Sequence, residues 1–554
     1  MRFNRPVIRA LGMLSGLGAV FRNEDLRRVQ LAWGAAITAE WAHFVALGVF
    51  AYDAGGTFAV GIAGLVRMLP AALIAPFAAS LGDRFRRERF LLAILLVGSV
   101  ALGASVAAFF GGGNEFLIFA LAGVVGVAST LIRPAQQALL PSLARTPEEL
   151  IAANGATSTI ESLGTLIGPL LAGVLISVVD VGSVFAVGGA ALLVGAFLLA
   201  RVRVEGRIEV AGAAAESTRD LILAGYRVVA RTAKPRLIIA LMIAQTFVRG
   251  SLNVLIVVVV FRVFHAGPGA VGYLTAAIGV GGAFGAVGAM ALKGRRLAGP
   301  FGLALVFWGL PLALVAPWPN PVAAFFLLAI VGAANSVEDV AAFTLLQRIV
   351  PNDVLTRVLG VLWGLAMGAV ALGSISAPAL VSAIGPRPAF VAAGVILPLL
   401  TLVTWRRLVE IDRTLPVPPP ELALIEGVPM FAPLSLAVKE QIAAGLIRLS
   451  VPAGEVVIRA GDLGDRFYVI ADGELEVIAD GLHRSADAGD YFGEIALLRD
   501  MPRTATVRAI VDSTLYALER DAFLQAVTGN SSMRAANAIV EARLAATGTS
   551  GSPR

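Results

Sequence analysis

The sequence predicts an all-α membrane bundle of twelve transmembrane helices in two six-helix halves, followed by a C-terminal β jelly-roll domain with flanking helices. Three observations predict it: a composition outside the soluble range, a row of apolar runs of spanning length, and an abrupt change of pattern after residue 413. The 554 residues are 57% hydrophobic and 15% charged, with mean hydropathy +0.83, whereas soluble domains carry roughly 25% charged residues. An ordinary soluble enzyme is excluded. Charge divides where the pattern does: residues 1–413 hold 32 Lys and Arg against 20 Asp and Glu, and 414–554 hold 12 against 18.

Apolar runs of about 20 residues cross a hydrocarbon core about 30 Å thick as helices. Twelve such runs fit, at 29–52, 58–81, 90–110, 116–140, 156–178, 183–200, 237–261, 270–292, 300–317, 321–346, 358–384 and 388–405. The first 28 residues carry six Arg and no apolar core ending in a small-residue cleavage site, so no removable signal peptide is expected. Residues 6–21 read as a stretch lying along the membrane surface.

Cationic loops stay on the cytoplasmic side. With both termini inside, 27 Lys and Arg fall in inner segments against two, Arg262 and Arg387, in outer ones. These charges are spread over seven inner segments and form no phosphate-tracking stripe, so no nucleic-acid partner is expected. The expected location is the cell membrane, multi-pass, with cytoplasmic termini and the lipid bilayer as the surrounding partner. The longest inner loop divides the spans six and six, the plan of a duplicated transporter. Gly155, Gly164 and Pro169 recur 209 positions later as Gly364, Gly373 and Pro378. The expected boundaries are a cytoplasmic N-terminal segment (1–28), two transporter halves (29–200 and 237–410) around a central loop (201–236), a Pro-rich linker (411–429), a ligand-binding domain (430–546) and a disordered tail (547–554).

Ionisable groups inside spans are costly and face a partner or an aqueous cavity. Here they are Glu40, His43, Arg67, Arg133, Glu161, Arg249, Glu338 and Asp339. Glu40 and His43 share a helix face by their spacing. A proton-coupling or substrate-binding set is one reading and satisfied interhelical ion pairs the other; the first is favoured for Glu40, His43 and Glu338, the second for Arg133 with Glu161.

After the second span, Leu81-Gly82-Asp83-Arg84-Phe85-Arg86-Arg87-Glu88-Arg89 resembles the first inner-loop signature of the major facilitator superfamily. The resemblance implies that Asp83, Arg84 and Arg87 bridge helix ends and hold the inward face closed. The second-half counterpart, Lys293-Gly294-Arg295-Arg296, lacks the acid. Arg133-Pro134-Ala135-Gln136 is similar to an Arg-x-x-Gln signature of proton-coupled members. The fifth span's Gly155, Gly164, Gly168, Pro169 and Gly173 resemble the signature of antiporting exporters, with Ala172 where Gly is usual. Small residues at this spacing let helices approach closely, and Pro169 bends the span.

Beyond Leu415-Pro416-Val417-Pro418-Pro419-Pro420, an extended spacer, short alternating segments read as strands: 455–458, 466–470, 474–478, 504–507 and 514–518. Gly461-Asp462, Asp472-Gly473 and Asp480-Gly481 punctuate them as turns. Residues 421–447 should be mainly helical, and 531–546 a terminal helix. Phe492-Gly493-Glu494-Ile495-Ala496-Leu497-Leu498 leads to Arg503-Thr504-Ala505-Thr506-Val507. Gly493 permits close backbone approach, the turn after it offers free amides to an anion, and Arg503 can grip a phosphate bidentately. An acid beside an arginine at a phosphate site makes sense where the ligand also has a sugar.

This stretch resembles the cyclic-nucleotide-binding domain, over about 430–545. The resemblance implies Glu494 on the ribose 2′-hydroxyl, Arg503 on the cyclic phosphate, backbone contacts from Gly493, Ile495 and Ala496, and Thr504 beside phosphate and base. A hydroxyl at Thr504 is similar to cyclic-GMP-dependent kinases and also to bacterial cyclic-AMP sensors, which leaves cAMP and cGMP both open. The function expected is therefore a secondary transporter, proton-coupled and exporting a small molecule, regulated by cAMP or cGMP. An importer of the same superfamily and a receptor without transport are the alternatives. With three His and no Cys, no catalytic nucleophile, metal cluster or resident cofactor is expected.

Overall fold

The computed structural model describes residues 22–74, 86–144, 147–202, 226–227, 229–292, 295–317, 319–350, 352–414, 421–431, 434, 436–479 and 482–527. Met1–Leu143 with Ala152–Leu415 belong to one compact unit, and Pro416–Arg554 to a second.

Among the described residues of the first unit, eleven helices are long and apolar enough to cross a membrane. They are α1 (Glu24–Ile74), α2 (Arg87–Phe110), α3 (Glu115–Leu143), α4 (Pro147–Val178), α5 (Val181–Leu199), α6 (Ala233–Arg262), α7 (Ala270–Ala289), α8 (Ala298–Val315), α9 (Pro321–Ile349), α10 (Asn352–Ile384) and α11 (Pro386–Thr414). The 51-residue α1 is broken at Gly55 and Gly56, where Gly56 takes φ 62° and ψ −152°. That region of backbone space is open almost only to glycine, and the break falls in the gap between the first two apolar runs. Local caps start the neighbouring helices: Asp180 accepts from Ser183 N at 2.7 Å, and Asn320 accepts from Val322 N at 2.8 Å ahead of Pro321.

The 209-residue repeat returns as paired contacts between the halves. Gly48 packs on Val257, and Tyr52 stacks on Phe261 with centroids 4.3 Å apart. In each pair the partners lie 209 positions apart, which places them on the axis relating the halves. Gly272 of α7 meets the Pro169 carbonyl of α4, and Gly61 of α1 meets the Pro378 ring of α10, where a Cβ would lie 2.6 Å away. Within the halves, Gly164 packs on Ile37 and its repeat Gly373 on the Phe247 carbonyl.

These contacts close the bundle at the end marked by Gly55–Gly56 and Gly267–Gly269. Thr165, Pro169 and Gly173 form one face of α4 and touch Gly279 and Gly272 of α7 and Gly269 just before it. One and two turns nearer the other end, that face continues through Ser162 and Ser158, which are exposed. In α10, Ser374 and Pro378 contact α1, while a Cβ on Gly360, Gly364 or Gly368 would meet nothing and Trp363 is 52% exposed. The halves therefore meet at one end and stand apart at the end where α11 leaves for the C-terminal unit.

Gly155 departs from the sequence reading. It was grouped with the packing glycines, but a Cβ there would have open space around it, because it lies on the part of α4 where the halves have separated. Gly164, Gly168 and Gly173 do pack: a Cβ on Gly168 would sit 2.7 Å from the Thr38 carbonyl oxygen and one on Gly173 2.9 Å from that of Gly269.

The second unit holds α12 (Leu422–Glu426), α13 (Leu436–Ala444), β1 (Ile447–Val451), β2 (Val456–Ile458), β3 (Arg466–Asp472), β4 (Glu474–Ala479), β5 (Leu482–Asp487), β6 (Tyr491–Phe492), α14 (Glu494–Arg499), β7 (Thr506–Ala509), β8 (Ser513–Glu519) and α15 (Arg520–Val527). Its strands form two antiparallel four-stranded sheets, ordered β1-β8-β3-β6 and β2-β7-β4-β5. Strand β3 alternates between two cores. Tyr468 and Ile470 pack between the sheets, while Phe467 and Val469 join Phe431 and Phe523 against the helices. The strand expected at 504–507 lies at Thr506–Ala509 instead, because the Thr506 hydroxyl is taken by Ala460 N and pairing with β4 starts there. The 421–447 stretch is helical in part and gives way to β1 at Ile447. The turn at Asp480-Gly481, residues 415–420 of the expected linker and the expected terminal helix lie outside the described residues; the rest of the 411–429 stretch is not an extended spacer, since α11 continues to Thr414 and α12 begins at Leu422.

A methyl at Gly272 cannot coexist with the Pro169 carbonyl, so Gly272→Ala should part the halves at the closed end. With Ser177→Cys as the only thiol, placed beside Tyr273, maleimide modification is expected to rise several-fold in the Gly272→Ala background.

Candidate functional site

Two groups of side chains carry chemistry. In the second unit, Gly493 has φ 92°, a left-handed conformation, and a Cβ there would lie 2.7 Å from Arg503 Nη1 and 3.0 Å from the Arg466 carbonyl oxygen. Glycine is required twice, for its backbone angle and for space. Arg503 is 4% exposed. Its Nη1 donates to Gly493 O at 2.9 Å, and its Nη2 to Arg466 O at 2.7 Å and Asp465 Oδ1 at 3.2 Å. A buried guanidinium needs such acceptors to offset its lost hydration. Its backbone is tied to the preceding turn, with Gly461 N donating to Arg503 O and Arg503 N to Asp462 O, both at 2.8 Å.

Glu494, 1% exposed, opens α14, and Ile495 and Ala496 follow it, so their amides lie in the first turn of a helix whose start faces Arg503. Ala496 is fixed by Gly464, where a Cβ would come within 2.8 Å of it. Tyr468 lies below the arginine, which is 5.8 Å from its ring centroid, and stacks on Phe492 at 5.0 Å. Burial pushes the Tyr468 hydroxyl above the usual phenol range, Asp465 acts the same way and Arg503 opposes, so it is neutral at physiological pH. Gly493 and the start of α14, with Glu494, Ile495 and Ala496, thus lie beside Arg503. Thr504 follows Arg503, half-buried. Asp465 and Tyr468 were not singled out as neighbours of the arginine; Tyr468 lies in the expected strand 466–470, and Asp465 just after the Gly461-Asp462 turn.

In the bundle, Arg67 is buried and pairs with Glu40 at 3.2 Å, with its guanidinium 5.1 Å from the Phe44 ring. His43 is buried against Phe185, within electrostatic reach of Arg67, and its Nδ1 has no hydrogen-bond partner among the described residues. A cavity between the halves, just inside the closed end, is lined by Phe44, Gly48, Gly64, Arg67, Asn253 and Ser374. Arg133 pairs with Glu161 where the halves have separated, and lies 5.4 Å from the Trp33 ring. Gln136 belongs to a different network, donating to Thr157 Oγ1 at 3.0 Å beside Gln30.

In the second half, Glu338 is 1% exposed and its Oε1 has no partner among the described residues. Asp339 accepts from Asn335 Nδ2 at 2.9 Å and feels the charges of Arg249 and of Glu161 from the other half. The chemistry-bearing residues of the two halves thus face each other across the open part. Arg87 Nη1 donates to Ala138 O at 2.8 Å, joining the start of α2 to α3. Asp83 and Arg84 lie outside the described residues.

Residues 31–368, more than half of the chain, match the Major Facilitator Superfamily model, and residues 448–530 match the cyclic nucleotide-binding domain model. Over 104 residues the chain is 42% identical to a cAMP-dependent protein kinase regulatory subunit of Emericella nidulans, covering 18% of this chain and 25% of that one. Over 103 residues it is 39% identical to the corresponding subunit of Schizosaccharomyces pombe, with the same coverage. An uncharacterized Mycobacterium tuberculosis protein is 45% identical over 91 residues, 16% of this chain and 18% of that one. The chain spans about a quarter of the length of the kinase subunits it matches.

An alanine at position 493 must adopt a left-handed angle and displace Arg503. Gly493→Ala should destabilise the second unit by about 1–3 kcal/mol, read as a lower midpoint in thermal unfolding of the full chain.

Proposed function

The chain belongs to the major facilitator superfamily and carries a cyclic nucleotide-binding domain, and from that premise we propose that it is a secondary transporter that exports a small molecule by alternating access, coupled to protons and regulated by cAMP or cGMP. The observation that carries the transport reading is the pair of interfaces, α4 with α7 and α1 with α10, closed at one end and parted at the other. Alternating access requires such a state, with a central site reachable from one side only.

The chain is a multi-pass membrane protein. In the proposed topology α1 counts as two spans joined at Gly55–Gly56, giving twelve, and the positive loops put both termini and the open end in the cytoplasm. Domain boundaries follow the reading above, with halves 29–200 and 237–410 and the nucleotide domain at 430–546. Glu338 is the foremost proton carrier, because it is buried and its Oε1 has no hydrogen-bond partner among the described residues, an arrangement costly for a charged carboxylate in a membrane. Glu40 with Arg67, and His43, form the corresponding set in the first half. Arg133, Glu161, Arg249 and Asp339 face the open space and contact substrate. Export rather than import rests on the resemblance of Gly164, Gly168, Pro169 and Gly173 to the antiporter signature.

For the nucleotide, Arg503 takes the cyclic phosphate, the amides of α14 its oxygens, and Glu494 the ribose hydroxyl. The carbonyls of Gly493 and Arg466 and the carboxylate of Asp465 fix the orientation of the guanidinium, and this ordering supports the reading because it lowers the cost of holding the side chain on binding. The kinase relatives support cAMP, and the Thr504 hydroxyl keeps cGMP within the proposal. By the family resemblance, Asp83, Arg84 and Arg87 hold the inner face closed in the opposite state.

Arg503→Ala removes a charge-assisted contact, so calorimetry with cAMP on the full chain should show affinity reduced at least about tenfold; unchanged affinity would place the ligand elsewhere. Glu338→Gln fixes that side chain neutral. In liposomes, tryptophan fluorescence should vary with pH in the parent, and this variation should flatten in Glu338→Gln if Glu338 is the coupling carboxyl.

A further inference from the structure

Helix α11 ends at Thr414, from which the chain continues into the C-terminal unit. Two residues before that end, Asp412 directs its carboxylate onto the start of α8. Oδ1 accepts from Leu297 N at 3.1 Å and Ala298 N at 2.9 Å, and Oδ2 accepts from Gly299 N at 3.0 Å. Pro300 has no N–H, and Phe301 N already donates to Leu297 O at 2.9 Å. One distant carboxylate therefore satisfies every open amide of that turn, and its charge matches the positive end of the helix dipole. Helices α5 and α9 are capped by the residue just before them, whereas Leu297 has no side chain able to cap α8.

The two helices stay in register below this cap. A Cβ at Gly302 would lie 2.9 Å from Trp405 and 3.1 Å from Leu408, and Gly394 of α11 meets the Ala313 backbone of α8. A shift of the α11 end thus carries α8 with it. Farther along α8, the buried Trp308 donates its indole N–H to Asn335 Oδ1 at 3.2 Å, and Gln245 donates to the same oxygen at 3.1 Å. Two donors on one oxygen fix the orientation of the amide. Its Nδ2 must then face Asp339, to which it donates at 2.9 Å.

We propose that the Asp412 carboxylate, helix α8 and the Trp308–Asn335–Asp339 relay form the connection through which the nucleotide state of the C-terminal unit reaches the carboxylates of the bundle. The proposal rests on the regulatory reading above. Movement of the α11 end displaces Trp308, Asn335 exchanges one of its two donors, and the hold on Asp339 changes. A ligand biases such a system by binding its two arrangements unequally.

The chain contains no cysteine, so Ser158→Cys, on the exposed face of α4, places a single reporter thiol at the open end. Saturating cAMP should change its maleimide modification rate by at least about fivefold, the lower range of ordinary coupling. In the same background, Asp412→Ala and Trp308→Phe should each bring that ratio to within about twofold of unity while cAMP affinity on the same preparations is unchanged. A ratio unaffected by either substitution overturns the connection and leaves regulation standing. No cAMP effect in the Ser158→Cys parent, with cAMP bound, overturns the regulatory reading and the connection with it. Trp308→Phe removes one N–H donor and keeps the ring, so it decides the matter if Asp412→Ala fails to fold.

Discussion

Where Gly272 of one half faces Pro169 of the other, one additional methyl group would strike a main-chain oxygen, and the closed end of the bundle exists because that methyl is missing. In lipid no hydrophobic force drives helices together, so association depends on close packing and on hydrogen bonds between them. The α4–α7 and α1–α10 interfaces supply that packing over a short length. Everything else in the first unit follows from how far they extend. Beyond Thr165 on α4 and Ser374 on α10 the halves part, and Ser162, Ser158 and Trp363 on those helices are exposed. Arg133, Glu161 and Asp339 owe their access to that parting, and Arg67 its burial to the closed part beside it.

The second unit uses the same device at smaller scale. Gly493 brings a backbone so close to Arg503 that no side chain fits between them, and the carbonyl it presents holds the guanidinium in a place water does not reach. A buried cation surrounded by two carbonyls and one exposed carboxylate is paired but not neutralised in depth, because Asp465 remains largely solvated. An incoming phosphate would meet a charge already oriented and only partly compensated.

The two units are joined by covalent continuity through α11, and the end of that helix does more than terminate a span. Asp412 holds a helix that lacks a cap of its own, and that helix in turn positions the indole beside Asn335. Such arrangements of fixed donors and acceptors have discrete alternatives, which is what a switch requires.

Much of this was legible along the chain. The spans were readable because a bilayer demands long apolar runs, and Glu338 stood out because an ionisable group inside one is costly and needs a partner or an aqueous cavity. The closeness of Gly493, Glu494 and Arg503 was readable because the three lie within about a dozen positions of one another. Strand β5 was missed because five of its six residues, Leu482, His483, Arg484, Ser485 and Asp487, are exposed on an edge and give no alternation to detect. Asp412 was invisible because it stands among Arg406, Arg407 and Arg413 and looks like one more charge at a helix end.

By itself the sequence determined what must lie in lipid, which way the loops are charged and which short segment resembles a cyclic nucleotide-binding domain, since these depend on composition and near neighbours. Tertiary structure alone decided that Gly155 stands in open space while Gly164 is packed, that Arg67 meets Glu40, and that an acid near residue 412 caps a helix starting near 298. Those outcomes depend on which faces of separate helices meet and at what depth, and periodicity within one helix cannot specify its neighbour.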